Sequence, residues 1–401
     1  MFSIEGIIAN IGMRSRIEID QATGLISKVG TVTGAADIVL KDELIFPGFI
    51  DLHVHAREDM SHTQDYKEDF SSAEKAAING GVVAFAEMPN NPIPPIDEKS
   101  YETKKELTKK SIVPVVLYAG IGPKTKPLAT NVPYKVFMGK SVGDLFFTSL
   151  NELESVIKNY EGQYVSFHSE DPEILEKSKN ETTHESQRPP RAEIVGIDFA
   201  LQLIEKYNLF GKICHVSTIE GMNRIIEAKK RGINVTVEVT PHHLYFSKAN
   251  KMLQVNPPIR TEENCVALIK FLKNGDIDYL ATDHAPHTRE EKEKGISGMP
   301  HLDTYGPFAT WLMQEQGFSP EEIARVCSKN PANFFNHFTE SKYGEIKEGC
   351  MGSLTIIDMN KPITVTKEIL KTKCAWSPFE GTTFPGSVAI TIIKGKVYDK
   401  R

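Results

Sequence analysis

The stretch Leu44-Ile-Phe-Pro-Gly-Phe-Ile-Asp-Leu-His-Val-His-Ala-Arg-Glu58 begins as an apolar run and ends in two histidines, an arginine and an acid. Successive side chains of a β-strand point to opposite faces, so His53, His55 and Arg57 share one face if the strand continues. Two imidazoles at the end of a buried strand can bind a divalent metal. An HxH pair alone is a weak indication, because histidines at strand ends are more often ordinary polar residues. Further ligands must come from the rest of the chain.

The composition is that of an ordinary globular protein: 401 residues, 40% of them hydrophobic and 25% charged. This length allows one large domain and one small domain. The formal net charge of -6 gives no reason to expect nucleic acid or a membrane surface as a partner. No apolar run approaches the roughly 20 residues of a membrane span, and the N-terminus lacks a signal pattern.

The five cysteines are scattered and form no CxxC pair, which is typical of reduced thiols, so we expect a cytoplasmic protein. Cys214 directly precedes His215 on a predicted strand. We therefore expect their side chains to point in opposite directions.

Short alternating strands, separated by Gly and Asp/Thr turns, occur at both ends of the sequence. Residues 1–47 are too few for a convincing core of their own. We therefore expect them to combine with residues 345–401 into one small β-sandwich domain. The remaining residues, 48–344, would form the larger domain.

The larger domain alternates strand-like and helix-like segments. The strand-like runs are 46–54, 81–88, 112–119, 134–138, 164–168, 212–216, 234–240 and 279–282. Helical patterns between them include 70–79, 149–160, 193–207 and 220–231. This order predicts an α/β fold, specifically a (β/α)8 TIM barrel. A doubly wound sheet has much of the same pattern, but the polar candidates follow the C-terminal ends of the runs, where barrel sites are built.

Residues that can bind metal lie in or just after five of these runs. They are His53, His55, Lys135, His168, His215 and Asp283. One such residue alone would be read as a cap or a hydrogen-bonded polar group. Five coincidences predict a metal centre. Four histidines and one aspartate exceed what one tetrahedral zinc with a bound water needs, and they suit two metals that share a bridge.

Lys135 can be that bridge only after reaction with carbon dioxide, because an ammonium group has no lone pair to donate. Its carbamate would present one oxygen to each metal. The alternative is a structural or surface lysine. Lys140 is a second candidate, although it follows Gly139, where we expect the strand to have ended.

Nine motifs follow one another in an order typical of one enzyme family. They are Phe46-Pro-Gly-Phe-Ile-Asp-Leu-His-Val-His-Ala-Arg-Glu58, Glu87-Met-Pro-Asn-Asn91, Tyr134-Lys-Val-Phe137, Phe167-His-Ser-Glu170, Cys214-His-Val-Ser217, Glu238-Val-Thr-Pro-His-His-Leu244, Val255-Asn-Pro-Pro-Ile-Arg260, Thr282-Asp-His-Ala-Pro-His287 and Trp376-Ser-Pro-Phe-Glu-Gly381. By these motifs the chain resembles the amidohydrolase superfamily, and within it the dihydroorotases. The resemblance covers nearly the whole chain.

The resemblance implies a centre of two Zn²⁺ ions. His53, His55 and Asp283 would bind the first ion, and His168 and His215 the second. Lys135, modified to N6-carboxylysine, would lie between them. His242 and His243 fall outside this set of ligands.

The resemblance also implies the reaction, a reversible cyclisation of N-carbamoyl-L-aspartate to L-dihydroorotate in pyrimidine biosynthesis. Asp283 would carry a proton between the attacking water and the leaving ring nitrogen. Arg57 and Asn90 would hold the substrate carboxylate. The expected ring contacts are Asn256, His287, Met299 and Pro300. A homodimer and an association with aspartate transcarbamoylase are both compatible with the resemblance.

Three positions around the site depart from the family pattern. Asp59-Met60 stands where the family commonly has Pro-Gly, Asn91 stands where threonine is frequent, and His301 stands where glycine is usual. None removes a metal ligand. The long charged segment 284–304 is expected to be either a binding loop or lid, or a solvated loop.

Allantoinases, hydantoinases and dihydropyrimidinases share the metal ligands and are the nearest alternatives. Arg57 argues against the hydantoinase type, whose substrates need no carboxylate. Allantoinases carry such an arginine too, but Asn90 and His287 fit a dihydroorotase better. A non-catalytic scaffold for a transcarbamoylase is a further alternative, although such proteins tend to lose ligands that are all present here.

Overall fold

The computed structural model describes residues 1–30, 34–140 and 145–401. In chain order its strands are β1 (Phe2–Ile8), β2 (Met13–Ile19), β3 (Ile26–Gly30), β4 (Ile38–Pro47), β5 (Phe49–Val54), β6 (Val82–Glu87), β7 (Val115–Leu117), β8 (Ala119–Ile121), β9 (Tyr134–Phe137), β10 (Tyr164–His168), β11 (Phe210–Ile213), β12 (Val235–Val239), β13 (Tyr279–Leu280), β14 (Leu354–Asp358), β15 (Ile363–Thr364), β16 (Thr383–Phe384), β17 (Ser387–Ile393) and β18 (Lys396–Asp399).

The α-helices are α1 (Phe70–Gly80), α2 (Glu98–Thr108), α3 (Leu150–Ile157), α4 (Pro172–Ser178), α5 (His184–Gln187), α6 (Pro190–Lys206), α7 (Ile219–Lys230), α8 (Pro241–Tyr245), α9 (Glu262–Asn274), α10 (Arg289–Glu293), α11 (Tyr305–Gln316), α12 (Pro320–Ala324) and α13 (Asn330–Phe335). Short 3-10 helices span Lys158–Tyr160, Lys251–Leu253, Leu302–Thr304 and Lys367–Ile369, and a π-helix spans Arg325–Lys329. None of the helices in the described part of the chain is long and apolar enough to cross a membrane.

Strands from both ends of the chain form one seven-stranded sheet in the order β18-β17-β14-β4-β1-β2-β3. The two ends meet where β14 pairs antiparallel with β4, with Leu354 opposite Pro47. Buried and half-buried residues alternate along β1, as expected for a strand with one covered face. Apolar side chains from six of the seven strands form one core cluster. The predicted α/β class with a separate small β domain is confirmed.

The division at 47/48 and 344/345 stays a prediction. The strands of the seven-stranded sheet lie inside the predicted terminal ranges. However, part of the C-terminal range packs elsewhere, because Val365, Phe379 and Phe384 belong to the core cluster of the barrel.

The middle of the chain forms a parallel barrel. Parallel pairing runs from β5 through β6 to β7, and from β8 through β9, β10, β11 and β12 to β13. β7 and β8 are separated only by Tyr118, whose N–H donates to the carbonyl of Glu87 at 3.0 Å, so together they act as the third of eight barrel strands. Residues of β5 and β6 are buried throughout, as expected for parallel strands covered on both faces.

The barrel closes between its first and eighth strands. The N–H of His55 donates to the carbonyl of His284 at 2.7 Å, and the N–H of His284 donates to the carbonyl of His53 at 3.3 Å. Val54 and His284 accordingly form a parallel bridge. The predicted (β/α)8 barrel is confirmed.

One predicted strand differs from the structure in a way that affects the site. The run 212–216 was expected to be extended, but β11 ends at Ile213. His215 has a φ of 35°, in the left-handed region that non-glycine residues rarely adopt. The chain therefore turns at the histidine.

Helix α1 follows the loop that leaves β5, and its ends are well defined. Asp69 accepts the N–H of Ser72, and the Ser72 hydroxyl accepts the N–H of Asp69 in return, forming a capping box. Gly81, with a φ of 81°, ends the helix in the left-handed conformation. The last turn of α1 lies against the backbone of Leu302, close to the site loop.

Gly80→Ala is expected to destabilise the protein, because the added Cβ would lie 1.8 Å from the carbonyl oxygen of Leu302. Backbone atoms must move to relieve that overlap, so the free energy of unfolding should fall by about 2–3 kcal/mol. Chemical denaturation measures this change. Gly162→Ala is the control: no atom lies within 4 Å of its added Cβ, and its φ of 73° should cost only about 1 kcal/mol. Equal losses for the two variants would contradict the clash.

Candidate metal centre and substrate site

The predicted ligands converge at the C-terminal end of the barrel. Nε2 of His53 lies 3.2 Å from Oδ1 of Asp283, and Nε2 of His55 lies 3.1 Å from the same oxygen. Nδ1 of His168 lies 2.9 Å from Nε2 of His215. The two pairs are adjacent, since the rings of His53 and His215 are 5.4 Å apart. The geometry thus brings together four histidines and one aspartate from four barrel strands.

Two buried glutamates orient two of these imidazoles. Nδ1 of His53 donates to Glu238, and Nε2 of His168 donates to Glu170 at 2.7 Å. Each histidine therefore keeps a lone pair on its other nitrogen, and that nitrogen faces the ligand cluster. A carboxylate behind a metal-binding histidine fixes the tautomer and the ring orientation in this way.

Each glutamate also has a cationic partner. Lys212 donates to Glu238 at 2.6 Å, and Nε of Arg188 donates to Glu170 at 3.1 Å. Burial raises the pKa of both glutamates, but these cations and the histidines more than offset it and hold both pKa values well below the usual range. Both carboxylates are therefore ionised acceptors.

Lys135 lies in the buried floor of the site. Its Nζ donates to the Sγ of Cys214 at 2.8 Å and lies 5.2 Å from the centre of the Phe137 ring. No carboxylate pairs with it among the described residues. An ammonium group that is buried without an anion is costly.

The expectation that Cys214 points away from His215 is wrong. Strand alternation fails because His215 adopts a positive φ, and both side chains reach the floor of the site. Arg57 and Asp283 also have positive φ values, of 64° and 47°. Such conformations cost free energy and cluster at functional sites.

The donor set fits divalent cations. Burial lowers the pKa of His53 to about 3 and lowers that of His55, His168 and His215, so these imidazoles are in the neutral form that binds metal. Burial raises the pKa of Asp283 to about 8, although the charges of Lys135 and Arg57 act in the opposite direction. Ligand atoms of His53, His215 and Asp283 all lie within 4.8 Å of one another.

Arg57 stands beside this cluster and is buried, with 2% of its surface exposed. Its NH2 nitrogen lies 3.1 Å from Nε2 of His287, whereas its Nε has no acceptor among the residues described. The turn that carries Arg57 is held by Glu87, which accepts the N–H of Ala56 at 2.6 Å and the Nζ of Lys104 at 3.0 Å.

A small cavity opens over the ligands. Its lining consists of His53, His55, Arg57, Asn90, Phe137, His168, His215, Asn256, Asp283, Ala285, Ser297 and Gly298. Arg57, Asn90 and Asn256 are thus at the cavity, as the sequence predicts.

His287, Met299 and Pro300 are not in this lining. His287 reaches the site through Arg57. Met299 packs with Leu253 and Trp376, and its carbonyl accepts the N–H of Ala285 at 2.8 Å. Direct contacts of these three residues with a ligand stay predictions.

His242 and His243 do not belong to the ligand cluster. Nδ1 of His242 lies 3.0 Å from Nε2 of His301, and Nε2 of His243 donates to the carbonyl of Pro257 at 3.1 Å. His301, where the family usually has glycine, is therefore buried against His242.

Several residues next to the ligands and the cavity were given no role by the sequence. Glu238, Lys212 and Glu170 orient the ligands, and Ser297 and Gly298 line the cavity. Glu238 and Lys212 could have been found in the sequence as charged residues inside an apolar run, in Val-Thr-Val-Glu-Val and Gly-Lys-Ile-Cys-His, and Glu170 as one just after such a run. A charge in a buried strand requires a partner.

Comparison with known proteins agrees with this geometry. A sequence profile of the amidohydrolase family matches residues 44–398. The chain belongs to the amidohydrolase family. It is accordingly an enzyme of a family that is generally metal-dependent.

Among relatives of this amidohydrolase, a dihydroorotase of Pyrococcus furiosus is 34% identical over 89% of this chain and 82% of its own length. A dihydroorotase of Thermococcus kodakarensis is 35% identical over 93% of this chain and 88% of its own. A dihydroorotase of Staphylococcus epidermidis is 30% identical over 92% of this chain and 91% of its own.

Among solved structures, the L-hydantoinase (dihydropyrimidinase) of Arthrobacter aurescens matches with a TM-score of 0.90 at 24% identity, covering 100% of this chain and 96% of that protein. The D-hydantoinase (dihydropyrimidinase) of a Thermus species matches with a TM-score of 0.84 at 20% identity, covering 100% and 95%. These likenesses show the fold.

Glu170→Gln is expected to weaken metal binding by about 10–100-fold, because the amide is a poorer acceptor for His168 and leaves Arg188 without its anion. Metal affinity can be measured by competition with a chelator. Glu176→Gln, an exposed change on helix α4, is the control. Unchanged affinity in Glu170→Gln would show that this carboxylate does not support the centre.

Proposed function

We propose that this amidohydrolase is a dihydroorotase, which interconverts N-carbamoyl-L-aspartate and L-dihydroorotate during pyrimidine biosynthesis. Arg57 carries the proposal: a buried guanidinium lies beside the ligand cluster with its Nε free of any acceptor in the described residues. A buried donor of this kind needs an anion, and a substrate carboxylate supplies one. The relatives named dihydroorotase support the same conclusion.

Arg57 and Asn90 line the same cavity and would hold the carboxylate of the substrate. A guanidinium fork matches a carboxylate better than a point charge does, which fixes the orientation of the ring as well as its position. Asn256 lines the same cavity and would contact the ring. Contacts of His287 and of the backbone of Met299 and Pro300 with the ring belong to the same proposal.

The cofactor in this proposal is a pair of Zn²⁺ ions. His53, His55 and Asp283 would hold one ion, His168 and His215 the other, and Lys135 as N6-carboxylysine would bridge them. When bound, zinc makes water a usable nucleophile near neutral pH and polarises the amide carbonyl. A modified Lys135 fits its buried surroundings, where it pairs with no carboxylate among the described residues.

Asp283 is the residue that moves the proton. It stands at the edge of the cavity, beside His53 and His55. In ring opening, Asp283 accepts a proton from the attacking water and then gives it to the leaving ring nitrogen. In ring closure the same carboxylate takes the proton from the ureido nitrogen.

The substrate distinguishes the proposal from its alternatives. Metal-replete protein should hold about two zinc ions per chain and cyclise carbamoyl aspartate, because Arg57 provides for the carboxylate. The measurement is turnover of dihydroorotate, allantoin and hydantoin by one preparation, together with its metal content. Turnover of allantoin or hydantoin without turnover of dihydroorotate would assign an allantoinase or hydantoinase. A metal-replete protein with no turnover at all would favour the scaffold.

Lys135→Ala tests the carbamate. Loss of the bridge should lower the metal content and reduce turnover by at least about 100-fold, and a short carboxylic acid should restore part of it. Lys140→Ala is the matched control, since Lys140 lies at the wall of an outer cavity, outside the lining of the ligand cavity. Full activity in Lys135→Ala would rule out the bridge.

Oligomeric state, association with aspartate transcarbamoylase and a cytoplasmic location remain predictions. Sedimentation of the protein alone and with that transcarbamoylase tests the first two.

A further inference from the structure

His287 is in contact with cationic groups and an acidic group through its two ring nitrogens. Nε2 lies 3.1 Å from NH2 of Arg57. Nδ1 lies 3.3 Å from Oε2 of Glu291 and 3.2 Å from Nζ of Lys67. The ring is buried, so each nitrogen has to be satisfied by these neighbours.

The chemistry of the partners determines where the imidazole proton is. A guanidinium can only donate, so Nε2 of His287 must be the acceptor for Arg57. The proton of the neutral ring is then on Nδ1 and donates to the carboxylate of Glu291. The ammonium of Lys67 cannot donate to a protonated nitrogen, so its place beside His287 follows from its own bond to Glu291, at 2.9 Å.

Burial and the charge of Arg57 lower the pKa of His287 to about 3, although Glu291 acts in the opposite direction. The ring is therefore neutral, as the donor and acceptor roles require. A protonated ring would point an N–H at the guanidinium.

Glu291 is itself held in place from several directions. Its Oε1 accepts the hydroxyl of Tyr66 at 2.6 Å as well as Nζ of Lys67, and its Oε2 accepts the N–H of Thr288 at 2.8 Å. The last contact is half of the capping box that begins helix α10. The loop before α1 and the start of α10 are thus joined at this one carboxylate.

We propose that Glu291 is a positioning residue for substrate selectivity: it fixes His287 as the Nδ1–H tautomer, and the Nε2 lone pair then holds Arg57 in the orientation that receives a carboxylate. Lys67 keeps Glu291 ionised and in place. This inference rests on the proposed function, in which Arg57 binds the carboxylate.

The proposal predicts that loss of Glu291 affects the binding of substrates that carry a carboxylate. Without Glu291 the imidazole proton has no fixed acceptor, and the Nε2–H form turns a donor toward the guanidinium. Arg57 then loses its hydrogen bond to His287, while His53 and His168 keep their hydrogen bonds to Glu238 and Glu170. Binding of a carboxylate substrate should therefore weaken, with little effect on the chemical step.

Three variants test this. Glu291→Ala removes the acceptor, Glu291→Gln retains an acceptor oxygen, and Glu293→Ala removes a charge from the same helix. Glu293 is exposed and its side chain makes no hydrogen bond with the described residues. Metal content and circular dichroism should be the same in all three.

The first readout is NMR of the protein labelled with ¹⁵N-histidine, with the His287 signals assigned by their loss in His287→Gln. The unsubstituted protein should show the Nδ1–H tautomer, and Glu291→Ala a mixture of tautomers. An Nε2–H ring in the unsubstituted protein overturns the proposal. So does an unchanged tautomer in Glu291→Ala.

The second readout is kinetic. In Glu291→Ala the KM for dihydroorotate should rise about tenfold or more with kcat changed less than about threefold, and Glu291→Gln should recover part of the loss. A KM equal to that of Glu293→Ala overturns the proposal, and so does a loss confined to kcat. If the unsubstituted protein turned over no dihydroorotate, the proposed function would fail, and the tautomer measurement would still decide the role of Glu291.

Discussion

Closure of the barrel holds the first and the last strand of the candidate site against each other. The backbone of His284 accepts from His55 and donates to His53, so the strand that carries the first two histidines is fixed to the segment that carries Asp283. Asp51 strengthens this seam, since it accepts the N–H groups of both His53 and Thr282. Residues 230 positions apart in the sequence therefore meet with their side chains on the same inner face. A slip of one residue would turn both histidines away.

Charge balance beneath the cavity is the second constraint. Glu238 lies between Lys212 and His53, and Glu170 lies between Arg188 and His168. Buried ion pairs contribute little net stability, because desolvation costs about as much as the attraction returns. Their value here is orientation: each carboxylate dictates which nitrogen of its histidine carries the proton. Lys135 differs from Lys212, since no carboxylate among the described residues pairs with it.

The sequence predicts the barrel and the convergence of four histidines and Asp283 at one end of it, and for the same reason. Apolar runs mark buried parallel strands, and a polar residue at the end of such a run is at the catalytic face; the run 164–168 coincides with β10. The prediction fails where the backbone leaves the regular geometry. His215 turns into the left-handed region, which shortens β11 and brings Cys214 to Lys135. Pairs such as Arg57 with His287 are also invisible in the sequence, because their contact depends on two loops whose paths no local periodicity encodes.

The fold and the choice of substrate therefore depend on different residues. An L-hydantoinase shares this fold with a TM-score of 0.90, so the barrel and its strand ends cannot by themselves select a carboxylate. In the proposed function Arg57 selects the carboxylate: the chain turns out of β5 at a φ of 64°, and NH2 of Arg57 lies 3.1 Å from Nε2 of His287. A hydrogen-bonded anion receptor rejects a neutral analogue strongly, since its buried donors are left unpaired when the anion is missing. Under the proposed function, selectivity for an anionic ring resides in one turn and one loop, which can change while the candidate metal ligands stay the same.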